Sequence, residues 1–265
     1  MRSIFLAFFL LCAVSYASND SNSLSVGLAS VKFDYTETSA NGALLDTEKS
    51  DLFGKIGGIR VEYSPSITTD GDSNMMLKVK YSLDRGKTEY KGSLLGSGLG
   101  YGSYTSATLN TIHDFSVALD ETRQFGRIDF GLNAGVGYRL WVRELSSAQK
   151  EDYMWPYWKI GGHIDADMTQ NLNIGLGAEY KSAFSPKMKA YGSASPVSAT
   201  FNLGAVNGYS IFVPIKYKIT KNIFSKLEYT YDYWKIGSSN EIGGFYEPDS
   251  KTKNQILTLS VGYKW

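Results

Sequence analysis

The chain has 265 residues, 43% of them hydrophobic, with 27 basic and 26 acidic side chains. It is too apolar and aromatic for a disordered chain, too balanced in charge for a nucleic-acid binder, and too poor in Cys for a disulfide scaffold. Two His and one Cys leave no zinc site of Cys and His ligands and no cofactor is indicated, whereas 27 Gly beside 19 Tyr and 5 Trp suggest β-structure with an aromatic rim.

Met1 and Arg2 give a positive start, Ile4 to Val14 is an uninterrupted apolar run, and Ser15 and Ala17 supply small residues ahead of a cut at Ser18. This predicts a secretory signal peptide over 1–17 and one barrel domain over 18–265. The apolar run is about half the roughly 20 residues that a spanning helix needs. Cys12 follows Leu10 and Leu11, where a lipidation site needs small residues, so lipidation is set aside. Without residues 1–17 the chain contains no Cys and its formal charge falls to zero. No later stretch approaches the length of an apolar helix, so any membrane insertion must use strands.

In chain order, Leu24–Tyr35 alternates but changes phase between Leu28 and Val31, which predicts a bulge near Ala29. Weaker alternation runs over Phe53–Tyr63, Ile112–Asp120 and Tyr157–Met168. Clear alternation appears at Met75–Leu83 and at Ile128–Val142, where Ile128, Phe130, Leu132, Ala134 and Val136 oppose Asp129, Gly131 and Asn133. It returns at Leu172–Tyr180, at Tyr209–Ile219 with Pro214 marking a second bulge, at Leu227–Tyr233, and at Leu257–Trp265. The count is ten strands. Short turns at Glu121–Gly126, Thr169–Asn171 and Thr220–Asn222, with a connection of about ten residues after Tyr63 as the exception, alternate with long polar loops. Those loops are Thr36–Leu52, Gly86–Thr108, Glu144–Met154, Ala183–Asn207 and Gly237–Thr252. Aromatics near strand ends, Trp141, Trp155, Trp158, Tyr180, Tyr233 and Trp234, fit two interfacial girdles. If the charged phase faced lipid, each basic residue at the midplane would cost roughly 2–4 kcal/mol. The apolar phase therefore faces outward.

The last nine residues, Leu257-Thr258-Leu259-Ser260-Val261-Gly262-Tyr263-Lys264-Trp265, alternate and end on an aromatic with another two positions before it. This resembles the terminal strand of Gram-negative outer-membrane β-barrel proteins. The resemblance implies an all-β, ten-stranded antiparallel transmembrane barrel in the outer membrane, with both termini in the periplasm and five external loops. It also implies that Tyr263 and Trp265 form the signal read by the barrel assembly machinery; the family more often ends in Phe. The ten-strand layout and the Trp155-Pro156-Tyr157 start of strand six are similar to the omptin proteases. That family's activity needs paired Asp at the outer end of one side of the barrel and an Asp and His two residues apart on the other. Here Gly86–Thr108 contains Glu89 and no Asp, and Ala183–Asn207 contains neither Asp nor His, so no catalytic residue is carried over.

The inward phase predicts a lumen lined by Lys78, Lys80, Asp129, Arg139, Lys159, His163, Asp165, Glu179, Lys216, Lys218, Glu228 and Asp232, joined by Arg143, Lys181, Lys226 and Lys264. The two signs are mixed and give no ion preference. His163, Asp165 and Asp167, with Asp129 in reach, read as an interior polar network, with acid–base work or cation binding as the sharper alternative. His113 sits outward beside Phe115, and no Ser and acid share the spacing that a lipid deacylase would use. Gly96–Gly102 has a phosphate-loop spacing without the following helix and reads as an external loop. Tyr90, Leu94, Leu95, Leu99, Tyr101, Tyr104, Met188, Tyr191, Phe201, Phe245 and Tyr246 are loop residues that contact an external ligand or pack as a lid. The reading is a narrow, porin-like passive channel for small solutes or ions, not an enzyme. The alternative is a non-conducting structural or surface-binding barrel acting through its external loops. Expected partners are outer-membrane lipid, lipopolysaccharide, the barrel assembly machinery and small solutes or external ligands; no nucleic acid is expected, and the chain is expected to be a monomer.

Overall fold

Residues that alternate every second position form strands, and in lipid those strands must pair on both edges because no water satisfies their N–H and C=O groups. The computed structural model describes residues 22–93, 98–192 and 198–265, so the expected signal peptide, Leu94 and Leu95 lie outside the described residues. The described strands are β1 (Ser23–Thr38), β2 (Leu44–Ser50), β3 (Ile56–Ser64), β4 (Ser66–Asp70), β5 (Ser73–Gly92), β6 (Tyr104–Phe125) and β7 (Ile128–Ser146). They continue as β8 (Gln149–Asp167), β9 (Leu172–Ala183), β10 (Lys187–Gly192), β11 (Ser198–Asn202), β12 (Val206–Lys218), β13 (Ile223–Ile236) and β14 (Asp249–Lys264). Between β1 and β5 the wall is one interrupted strand, β2 to β4; β9 with β10, and β11 with β12, are interrupted in the same way. The sheet is thus an antiparallel ring of ten, closed by the β1–β14 and β8–β9 ladders.

One end carries short connections. Gly126 and Arg127 alone join β6 to β7, and Gly126 takes φ of 66°, a conformation that glycine adopts without the steric cost of a side chain. At this turn end Asn22 and Trp265 exchange backbone hydrogen bonds of 3.2 and 3.0 Å. At the opposite, hairpin end, four of the expected loops are largely strand: β2 fills much of Thr36–Leu52, β5 and β6 pair out to Gly92 and Tyr104, β7 and β8 run through Glu144–Met154 except at Ser147 and Ala148, and β10 and β11 form a hairpin within Ala183–Asn207. Polar composition hid these extensions, because both faces of a strand standing in water can carry polar side chains. Residues 96 and 97 of the glycine-rich Gly96–Gly102 segment lie outside the described residues.

The two expected bulges do not form. β1 pairs β14 in unbroken register from Ser23↔Lys264 to Thr38↔Asp249. The apolar residues change sides: Leu24, Val26 and Leu28 are exposed on the outer surface, whereas Val31, Phe33 and Tyr35 are buried inside. The switch marks where the strand leaves lipid and its polar face turns to water. Pro214 leaves a gap in the β9–β12 ladder between Phe212↔Gly177 and Ile215↔Ile174, but the register does not shift, because two residues on each strand lie between those pairs.

The lipid-facing band is bounded on the hairpin side by outward Tyr138, Trp158, Tyr180, Tyr209 and Tyr233, with Trp158 and Tyr180 centroids 5.6 Å apart. On the turn side Tyr63, Tyr263 and Trp265 stack at 6.0–6.4 Å. Trp141, Trp155 and Trp234, expected in the girdles, instead point inward and are at most 1% exposed. They belong to a buried cluster with Phe33, Tyr35, Tyr153, Tyr157, Met188 and Phe201, which fills the barrel beyond the band. Met188, Phe201 and Tyr90, expected on loops, are therefore interior residues.

Leu132, 74% exposed on the outward row of β7, tests the assignment of faces. Leu132→Arg puts a charge on the lipid face and is expected to destabilise the barrel and to lower the folded fraction seen as a mobility difference between boiled and unboiled samples. The inward Asn133→Arg is expected to respond differently, without a lipid-exposure penalty.

Candidate functional site

Four layers of side chains fill the interior between the turn end and the hairpin end. In the first, Lys78 of β5 lies 3.0 Å from Asp120 of β6. His163 of β8 places Nε2 3.2 Å from Asp120 and Nδ1 2.6 Å from Asp165. The ring lies so close over Gly131 of β7 that a methyl group there would collide with it. His163 thus meets Asp165 as expected, but its second carboxylate is Asp120, not Asp129. Asp129 is opposite Asp165 in the register and its Oδ1 has no hydrogen-bond partner among the described residues. Asp167 accepts from Asn173 at 3.1 Å. Lys218 is exposed toward the turn end, and Lys216 lies with Nζ 5.1 Å from the Phe224 ring.

Above this layer is a cavity of about 170 Å³ whose wall holds six cationic and six anionic side chains. Lys226 bridges Glu62 and Glu228 at 3.0 and 3.4 Å, and Lys80 stands 4.0 Å from Glu62. Lys159 meets Glu179 at 3.2 Å, and Arg60 makes a two-pronged contact with Asp84 at 2.7 and 3.1 Å. Lys181 and Arg139 reach Asp232 at 2.7 and 3.7 Å, and Arg139 also reaches Asp114 at 3.4 Å. Removing charge from water costs several kcal/mol per ion unless each has a partner. The wall meets that requirement by balanced pairing, between adjacent strands as in Lys159–Glu179 and across the lumen as in Lys226–Glu62 and Arg139–Asp232.

The third layer closes over the cavity. Trp234 packs against Trp155 and Tyr157, with centroids 5.4 and 5.5 Å away, and lies against Arg139 and Lys181 at 5.6 and 5.4 Å. Its Nε1 donates to Asp232 at 3.1 Å, and the Tyr157 hydroxyl donates to Asp114 at 2.7 Å. Trp234 and Tyr157 therefore present an apolar body to the plug and a polar tip to the charge pairs below, whereas Trp155 Nε1 is buried with no hydrogen-bond partner among the described residues.

The fourth layer stands outside the lipid-facing band and centres on Arg143, 1% exposed. Its guanidinium meets Glu48 at 2.7 Å and Glu151 at 2.6 Å, and lies 4.3 Å from the Tyr35 ring, with Trp141 and Tyr153 also around it. Glu48 Oε2 also accepts from Thr88 and Asn110, both at 2.7 Å, and Asn110 Oδ1 accepts from Trp141 at 2.7 Å. Further acids crowd the same cation. Tyr35 donates to Glu37 at 2.7 Å, Tyr153 donates to Glu247, and Asp46 lies close enough to influence Glu37. Burial and then the Asp46 carboxylate push Glu37 up to about 7. Burial, followed by Glu37 and Glu151, holds Glu247 well above the ordinary carboxylate range. One guanidinium does not compensate the surrounding carboxylates, so part of the cluster holds protons.

Sequence reasoning placed Arg139 and Arg143 inside but missed Glu48, Asp114 and Asp120, and it missed Glu37 and Glu247 by reading their segments as loops. The available signal was Asp46, Glu48 and Ser50 in one phase, with Leu45 the only apolar residue opposite, too little to make the strand visible. The other histidine, His113, faces outward as expected and bonds the Tyr81 hydroxyl at 2.9 Å.

Arg143→Met is expected to destabilise the protein by about 3–5 kcal/mol, since it strands buried Glu48 and Glu151, with the urea midpoint as the measurement. The raised Glu37 carboxyl gives stability that is fully present below its unfolded value near 4.5 and is lost as pH rises through about 7. Wild-type stability should fall by up to about 3 kcal/mol over that window, and Glu37→Gln should flatten the fall.

No protein-family model matches this chain, and no curated protein matches it. Among solved structures, the outer membrane protease OmpT from Escherichia coli is similar at a TM-score of 0.55 and 13% identity, covering 95% of this chain and 100% of that one. The translocator domain of autotransporter NalP from Neisseria meningitidis has a TM-score of 0.41 at 10% identity, covering 99% of this chain and 96% of that one. A TodX monoaromatic hydrocarbon channel mutant, deltaS2S3, has a TM-score of 0.41 at 10% identity, covering 93% and 91%. The likeness to OmpT carries the fold alone: this chain has the ten-stranded outer-membrane β-barrel architecture in an omptin-like layout.

Proposed function

We propose that the protein is a non-conducting barrel of the outer membrane that works through a rigid cap at its hairpin end. The observation that carries this reading is the layer of Trp155, Tyr157 and Trp234 under the Arg143 cluster, all nearly inaccessible to solvent, where a pore would need a continuous polar path. It favours the surface-binding alternative over the narrow passive channel. The cavity beneath the layer, with its charges paired, supports an internal brace more than a conduction path.

The short turns and the chain ends would lie in the periplasm, with the long hairpins outside, as in bacterial outer-membrane barrels. Tyr263 and Trp265 would then serve as the assembly signal. Above the aromatic belt the outer wall carries Arg85, Lys87, Lys91, Lys235, Lys251 and Lys253, interspersed with Asp34 and Glu89, and these cations would meet lipopolysaccharide phosphates.

Folded full-length protein in a planar bilayer is expected to give no discrete conductance steps. Reproducible wild-type steps that change in Arg139→Gln would overturn the closed-barrel reading. Exchange of the segments 86–108 or 183–207 is expected to abolish binding to lipopolysaccharide or cells while preserving the folded gel band.

A further inference from the structure

The lipid-facing wall is not smooth. A groove of about 830 Å³ crosses its outer surface from β6 to β12, lined chiefly by apolar atoms of Phe125, Phe130, Leu132, Ile164, Leu176 and Ile211. It exists because the outward residue between Leu132 and Ile211 is Gly162 on β8 and Ala178 on β9, in one register row. The outward neighbours along the same two strands, Ile160 and Ile164 on β8 and Leu176 and Tyr180 on β9, are large and exposed. At one end of the groove stand Arg123 and Glu121, both facing outward.

The groove has the course of an acyl chain. Four interstrand steps separate β6 from β12, roughly 19 Å at the usual strand spacing. The course is oblique: Arg123 stands two positions from the turn end of β6, and Ile211 stands seven from the turn end of β12. With strands tilted about 40°, the groove rises roughly 12 Å along the membrane normal, half of an apolar band about 25 Å tall. That is the depth of one leaflet.

The charged end fits a zwitterionic headgroup. Arg123 directs Nε and Nη2 at a single carboxylate oxygen, Glu121 Oε1, at 3.1 and 3.0 Å. Both side chains remain substantially exposed, at 66% and 42%. Nη1 of Arg123 and Oε2 of Glu121 are left for a phosphate and an ammonium, respectively. We propose that this groove is a binding site for one glycerophospholipid with a phosphoethanolamine headgroup, its phosphate on Arg123, its ammonium on Glu121 and one acyl chain along Gly162 and Ala178. The site needs only the transmembrane barrel and does not depend on the closed lumen or on which side of the membrane the turn end faces.

The test uses the full chain reconstituted into vesicles of phosphatidylethanolamine, phosphatidylcholine and phosphatidylglycerol, then extracted mildly and read by native mass spectrometry. One retained phosphatidylethanolamine per barrel is expected. Ala178→Phe, which fills the groove with another apolar side chain, should lower retention at least tenfold. Gly162→Ala should lower it less, since its added methyl sits 3.2 Å from the Gly131 carbonyl oxygen and 3.3 Å from Leu132 Cδ2. Arg123→Gln should remove the preference for phosphatidylethanolamine while leaving the folded gel band intact. Equal retention by wild type and Ala178→Phe would overturn the proposal. So would a mass of two barrels that Ala178→Phe reduces to one, which would make the groove a contact between copies, or indifference to headgroup in the wild type.

Discussion

Strict two-residue alternation, carried in unbroken register with β14 along the full length of β1, is the constraint on which the rest of the structure depends. A strand that cannot change phase must present the same positions outward in lipid and in water. Within lipid those positions must be apolar, and beyond it the apolar residues must move to the inner positions or be left facing water. The chain satisfies both demands by exchanging residue types while the backbone register stays fixed: Leu24, Val26 and Leu28 outside, then Val31, Phe33 and Tyr35 inside.

Two different interiors follow. At the depth of the lipid-facing band, the outer face takes the apolar side chains, so the inner face is polar and holds charge by reciprocal pairing across strands. Beyond the band, the inner face takes the aromatics and forms a conventional buried core. The junction is Trp234, whose ring contacts Trp155 and Tyr157 while its nitrogen reaches Asp232 of the charged layer. An apolar plug can therefore sit directly on a charged cavity without leaving the tryptophan's polar edge unpartnered.

The cap achieves rigidity with an electrostatic cost. Arg143 joins β7 to β2 and β8 through Glu48 and Glu151, tying together segments far apart in sequence. The additional carboxylates, Glu37 and Glu247, keep their place by holding protons and accepting from tyrosine hydroxyls. Stability of the cap is accordingly linked to pH in the range where Glu37 titrates, and the cap belongs to the part of the molecule that stands in water.

The sequence by itself determined the strand number, the outward and inward faces within lipid, and the inward placement of Arg139, Lys159, His163, Glu179 and Asp232. These are properties of period and transfer cost, which are local and large. It also displayed the phase change near Ala29, but as a pattern alone that change fits either a bulge or a change of solvent. Only the tertiary structure decided between them, because the β14 register shows whether an extra residue is present. It likewise decided that Trp141, Trp155 and Trp234 form a plug instead of a girdle, that Asp120 and not Asp129 completes the His163 pairing, and that Glu48 meets Arg143. Those outcomes depend on the stagger between strands and on the height at which each leaves the membrane, and no single strand carries that information.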